Sequence, residues 1–265
     1  VHTTRTMTAV AGAAAAVAAL TAGCGGSGGS TGPAAAASPA AATATAGTPA
    51  PGVDNGVAGL SAAEILQRSA QALRDARSVR AVGTIAGGGQ PITMDLRLDT
   101  DGNCTGTLSQ TDVGGFQVVK AGHQLWVKPD QAFWQSHGGS ALSDQVGDRY
   151  LKTTSDDPDF GEIGTLCDLG GLADQLGAAT SDLTKGATTT VQGRPAVPLA
   201  RSTDTGTATL YVAAQGPPVP LRLEQDVGAV DFGEFGTPVP SATPGPDQSL
   251  DIDRLQQPEA TPTTV

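Results

Sequence analysis

Aromatic side chains are scarce in this sequence, 3% of 265 residues, with five Phe, two Trp and two Tyr. That excludes an aromatic-rich interior, so apolar burial has to come from Val, Leu, Ile and Ala. Basic residues are also few, 15 against 26 acidic ones, for a net charge of −11. No Lys/Arg stripe is present to neutralise phosphates, which excludes a nucleic-acid binder. The same acidity excludes electrostatic adhesion to anionic lipid headgroups, so membrane attachment has to be covalent or hydrophobic. His123 and His137 lack helical i, i+4 spacing and sit in no Cys/His cluster, so no metal site and no cofactor are expected. The N-terminal apolar stretch runs only from Met7 to Leu20. As helix it would span about 21 Å, short of a bilayer core of about 30 Å.

That length suits the core of an export signal. Arg5 precedes it, and Leu20-Thr21-Ala22-Gly23-Cys24 closes it. The small residues before Cys24 resemble a bacterial lipobox, although the usual leucine position holds Thr21. The resemblance implies a diacylglycerol on the Cys24 thiol and cleavage just before it, so residues 1–23 are expected to be a lipoprotein signal peptide. Residues 24–59 then form the lipidated cysteine and an Ala/Gly/Ser/Pro tether, with no Lys or Arg after Cys24 and Asp54 as its one acid. Such a stretch cannot offset its ordering entropy and would average roughly 30–35 Å end to end. Gly25-Gly26-Ser27-Gly28-Gly29 matches the nucleophile-elbow pattern but lacks the flanking strand and helix, and reads as chance. Residues 237–265 are Pro-rich and expected to be a disordered tail, with a brief helix or strand over Ser249–Gln257.

Residues 60–236 carry the folding signals. Ser61 and Glu64 form a capping box, Leu60 and Ile65 a staple, and Ala62, Ile65, Leu66, Ser69, Ala72, Leu73 and Ala76 one apolar helix face. Ile92, Met94, Leu96 and Leu98 then alternate with Thr93, Asp95, Arg97 and Asp99, the period of a half-buried strand. Asp101-Gly102-Asn103 turns the chain into a return strand at Cys104–Gln110. Further strands are expected at 116–120, 124–128, 187–191, 196–199, 207–213, 219–224 and 230–232. Between Gln131 and Ser181 the pattern lapses, apart from a short helix over Leu166–Leu176 interrupted by Gly170-Gly171. This reads as an α+β domain: one curved antiparallel sheet with helices packed on one face and a groove or cavity between the layers.

The capped helix, the paired strands, the run Gly206-Thr207-Ala208-Thr209-Leu210-Tyr211-Val212-Ala213 with Pro217–Leu223, and Phe232-Gly233-Glu234-Phe235-Gly236 resemble actinobacterial lipoproteins of the LppX/LprA/LprF/LprG type. The resemblance covers about residues 60–240. It implies a LolA-like half-barrel whose apolar cavity holds the acyl chains of a lipid or glycolipid.

With Cys24 lipidated, Cys104 and Cys167 remain. An even pair outside the cytoplasm favours a disulfide, the alternative being two separate buried thiols. Asp156-Asp157-Pro158-Asp159 lacks the spacing of a calcium loop and reads as a solvated turn. Trp126, Phe133, Trp134 and Tyr150 are either core packing or a cavity rim. No nucleophile–base pair is credible, so no enzyme is expected. The sequence reads as a membrane-anchored, extracytoplasmic binding or carrier lipoprotein, its cavity lined by Ile92, Met94, Leu96, Leu98, Val219, Leu221 and Leu223. The alternative is a non-catalytic envelope interaction or sensor module without a cavity; its protein partner is unknown. Metabolic labelling with palmitate checks the anchor: label incorporates into the wild-type chain and is lost in Cys24→Ser.

Overall fold

Ser61 starts the first helix as its capping box requires. Its hydroxyl accepts from the Glu64 amide, and the Glu64 carboxylate accepts from the Ser61 amide at 3.0 Å. In the computed structural model, which describes residues 52–86, 90–137, 139–203 and 206–252, this helix (α1) runs Ala62–Ala76. It buries Ile65, Leu66, Ser69, Ala70, Ala72 and Leu73. The signal peptide, Cys24 and most of the tether lie outside the described residues.

Among the described residues thirteen strands form one open sheet. They are β1 (Ser78–Ile85), β2 (Ile92–Asp99), β3 (Cys104–Gln110), β4 (Gly114–Ala121), β5 (Gln124–Pro129), β6 (Tyr150–Thr154), β7 (Thr184–Lys185), β8 (Thr189–Val191), β9 (Arg194–Thr203), β10 (Gly206–Ala213), β11 (Pro220–Gln225), β12 (Gly228–Gly233) and β13 (Ser249–Asp251). The order is β13-β6-β5-β4-β3-β2-β1-β12-β11-β10-β9-β7, with β8 beside β9. Every pair is antiparallel except β13 with β6, so the sheet is curved, open and mixed where a purely antiparallel one was expected.

Register divides the sheet into two unlike faces. Leu98 opposes Cys104 and Val79, Leu96 opposes Gly106 and Ala81, and Met94 opposes Leu108 and Gly83. Because side chains alternate, these residues share one apolar face. Thr93, Asp95 and Arg97 share the other with Thr105, Thr107 and Ser109.

Helices cover the apolar face. α1 lies over β1, β10 and β11. Helices α4 (Gly161–Leu166) and α5 (Leu169–Ala178) bring Phe160, Ile163, Leu166, Leu169 and Ala173 onto β2–β5. The short helices α2 (Gln131–Ser136) and α3 (Ser140–Val146) enclose Trp134 and Val146 with Leu151 and Ile252. Cys104 on β3 and Cys167 between α4 and α5 are joined by a disulfide, with the Cα atoms 5.5 Å apart.

Several elements differ from expectation. β1 and β6 emerge where no strand was read: Ala81 and Gly83 give β1 a faint alternation, and β6 carries only Leu151 as an aliphatic anchor. The helix expected over 166–176 starts at Leu169 and passes through Gly170 and Gly171 without a break. Both glycines fall in its first turn, where the Asp168 side chain accepts from the Gly171 amide at 2.9 Å. Paired structure also exceeds residues 60–236. Asn55 donates from its side chain to Ala213 O and Gly216 O, and Val57 is buried with Ile65 and Leu66. At the other end, Ser249–Asp251 pairs with Tyr150–Lys152, and Val239 is buried.

The disulfide joins cysteines 63 positions apart in the sequence. Loop-closure entropy puts its contribution at roughly 4 kcal/mol, and native disulfides removed from small secreted domains cost about 2–5 kcal/mol. The paired variant Cys104→Ala/Cys167→Ala is expected to lose stability of that order in urea unfolding. Intact mass before and after reduction checks the bond itself, two free thiols in the unreduced domain being the contrary result.

Candidate functional site

Where the two helical groups meet the sheet, the apolar face holds a recess of about 180 Å³. Ala81 and Ile85 from β1, Met94 and Leu98 from β2, Leu223 from β11, and Val230 and Phe232 from β12 form its sheet wall. Thr165, Leu166, Leu172 and Gln175 from α4 and α5 form the other. No ionisable side chain lines it. Two helices bound the space because α5 docks closely on α1: Gly177 faces Ala70, and a Cβ there would lie 3.3 Å from the Ala70 methyl. Arg74 and Asp174 tie the pair with a 2.6 Å ion pair.

Of the seven residues expected to line a cavity, Met94, Leu98 and Leu223 line this recess, and Val219 lines a separate open groove of about 630 Å³ beside α1, with Ala72, Pro217, Pro218 and Phe235. Ile92 shares their face and packs half-buried on the same core, and Leu96 is fully enclosed beneath α5. Val219 and Leu221 lie away from the recess, packing with Ala72, Val191, Ala196 and Ala213 under α1. The pattern Val79, Ala81, Gly83, Ile85 could have revealed the β1 wall, but small residues hide the signal. The expected aromatic group disperses. Phe133 and Trp134 pack around α2, with Phe133 4.7 Å from Phe116 and stacked on His137 at 4.0 Å. Tyr150 and Trp126 lie on the sheet's other face.

That other face is polar and cross-linked by charge. Arg80 donates to both Asp95 oxygens at 2.8 and 2.7 Å and to Glu234 at 2.8 Å, and Arg97 also reaches Glu234. Arg222 clamps Asp231, which accepts as well from Gln192. The Tyr211 hydroxyl donates to Glu224 at 2.7 Å, which raises the phenol pKa. The Arg80 hydrogen bonds hold the Asp95 carboxyl low, and Arg80 followed by Arg97 does the same for Glu234. Arg222 chiefly lowers Asp231.

His123 and Asp156 are 4.0 Å apart, both well exposed, and Asp157 is taken up by the Thr153 hydroxyl and the Asp159 amide within the turn. Among the described residues no group of three His, Cys, Asp or Glu side chains is placed to hold a metal. No helix among them is long and apolar enough to cross a membrane.

No family model matches the chain, and no curated protein matches it significantly. Among solved structures it is similar to LprF from Mycobacterium bovis, with a TM-score of 0.50 at 17% identity over 69% of this chain and 96% of that one. The fold is thus that of the LppX/LprF type. Weaker likenesses are to the Pseudomonas aeruginosa MucA/MucB complex and to MucB with MucA(peri). Their TM-scores are 0.30 and 0.32, at 20% and 21% identity, covering 64% and 71% of this chain and 55% and 58% of those.

The polar face has a pH signature. Asp95, Asp231 and Glu234 have folded-state pKa values below the ordinary 3.8 and 4.5. Below those ordinary values the unfolded chain binds more protons than the folded one. The stabilisation is therefore full above the ordinary values and lost as pH falls through the lowered ones. Urea midpoints followed by circular dichroism are expected to drop as pH falls below the ordinary 4.5 and 3.8, less steeply in Glu234→Gln.

Proposed function

We propose that the chain is a non-catalytic lipoprotein, held on the extracytoplasmic side of the cell membrane through a lipid on Cys24. In this reading it binds an acyl chain of a lipid or glycolipid between the sheet and α4–α5. The observation that carries it is the apolar recess, which no charged group lines although the opposite sheet face is crowded with ion pairs. An uncharged wall stabilises a hydrocarbon chain by about 0.8 kcal/mol per buried CH₂. The LprF-type fold is compatible with it.

The recess as it stands is small, below the roughly 300–1,000 Å³ of ligand pockets. A full acyl chain therefore requires α4–α5 to swing away from β1 and β12 while Cys167 stays bonded to Cys104. That small volume is also what favours the second reading, an envelope interaction module that binds no lipid.

Ile85 sits half-exposed at the mouth, where a larger side chain obstructs entry without emptying the core. The full chain carrying Cys24→Ser is expected to bind dansyl-undecanoic acid, with affinity falling at least about tenfold in Ile85→Trp. Absence of dansyl fluorescence enhancement, together with a lipid-free organic extract of protein purified from its host, would sink the lipid reading and leave the interaction module.

A further inference from the structure

The polar face of the sheet carries a second concavity, unrelated to the lipid recess. It is an open groove of about 530 Å³ over β3, β4 and β5, walled by α2, α3 and the turn at Gly147–Asp148. Its floor follows from register: Thr107 opposes Gln117, which opposes Lys128. Such neighbours lie about 4.8 Å apart across paired strands, so their polar ends form a row. Ser109 extends the floor beside Thr107, and Trp134, itself 8% exposed, lies at the wall with Phe116.

The groove is held open by glycines. Gly114 has φ +113°, and a Cβ there would lie 2.2 Å from the Phe133 amide nitrogen; one on Gly115 would lie 2.9 Å from an Asp130 carboxylate oxygen. Only glycine lets α2 sit this close to β4 and stand as a wall.

The chemistry of the lining selects the ligand class. Lys128 is ion-paired with Asp148, and Asp130 adds a further negative charge, so an anion is disfavoured. Hydroxyl and amide groups on the floor disfavour a purely apolar molecule, which would leave them desolvated. An added peptide strand has nowhere to pair, because β3, β4 and β5 are interior strands with their ladders filled on both sides. Among the described residues the Thr107 and Ser109 hydroxyls have no hydrogen-bond partner. Gln117 uses only its carbonyl oxygen, accepting from the Tyr150 hydroxyl at 3.1 Å. Unused neutral donors and acceptors in a row, beside an indole, match a ligand dense in hydroxyls with apolar C–H faces.

We infer that this groove binds a neutral oligosaccharide, on the sheet face opposite the lipid recess. The site stands whether or not the recess takes lipid.

Amide chemical shifts of the full chain carrying Cys24→Ser, titrated with maltohexaose, cellohexaose and linear mannohexaose, test it, with hexagalacturonate as the acidic control. At least one neutral hexasaccharide is expected to move the Thr107, Ser109 and Gln117 amides, and the acidic one to leave them in place. The double variant Thr107→Val/Gln117→Leu changes two exposed side chains and is expected to keep its thermal midpoint while binding about tenfold more weakly; Ile85→Trp is expected to bind as the parent does. Three results would overturn the site: no shift with any neutral hexasaccharide at millimolar concentration, shifts confined to the recess residues, or unchanged affinity in the double variant.

Discussion

A strand shows alternate side chains to opposite sides, and here nearly every strand devotes one side to aliphatic residues and the other to polar ones. The apolar side has to be covered, and α1 with α4–α5 is the helix available to cover it. The polar side needs no cover, because Arg80, Asp95, Arg97, Glu234, Arg222 and Asp231 satisfy one another there. The recess and the polar-face groove both follow from this asymmetry. One arises where the helices incompletely fill the apolar side, the other where α2 and α3 rise at the rim of the polar side.

Coverage of the apolar side is divided between two groups held by different forces. α1 is built on its own cap and a broad aliphatic face, with Val57, Val197, Leu199 and Leu210 packed around it. α4 and α5 are short, bury fewer side chains, and depend on the Cys104–Cys167 bond and on docking to α1 through Gly177 and Arg74. A covalent anchor at one point of a thinly buried helical pair restrains it without filling the space beneath. That is the physical reason the recess borders α4–α5 and not α1.

Some of this was legible in the chain. The α1 cap and face, the β2–β3 hairpin with its Asp101-Gly102-Asn103 turn, and β10 to β12 follow from local period and turn chemistry, which operate over a few residues. Met94, Leu98 and Leu223 were identifiable as wall residues because a strand's alternation names the inward positions. Ala81 and Ile85 were not, since Ala81 and Gly83 contribute little hydrophobicity and leave β1 nearly silent. Val219 and Leu221 show the converse: inward-facing apolar residues in the same strand region as Leu223, but under a different helix.

Alternation, capping and composition by themselves determined that the domain is α+β and which side of each strand seeks the interior. These are properties of neighbouring residues, readable at short range. Tertiary structure alone decided that β12 lies between β1 and β11, that β13 joins β6 in parallel, and that Asn55 and Val57 belong to the domain. It also decided that Thr107, Gln117 and Lys128 stand in one row across three strands. Each of these depends on long-range pairing, in which segments distant in the chain meet through backbone hydrogen bonds that carry no residue-specific mark.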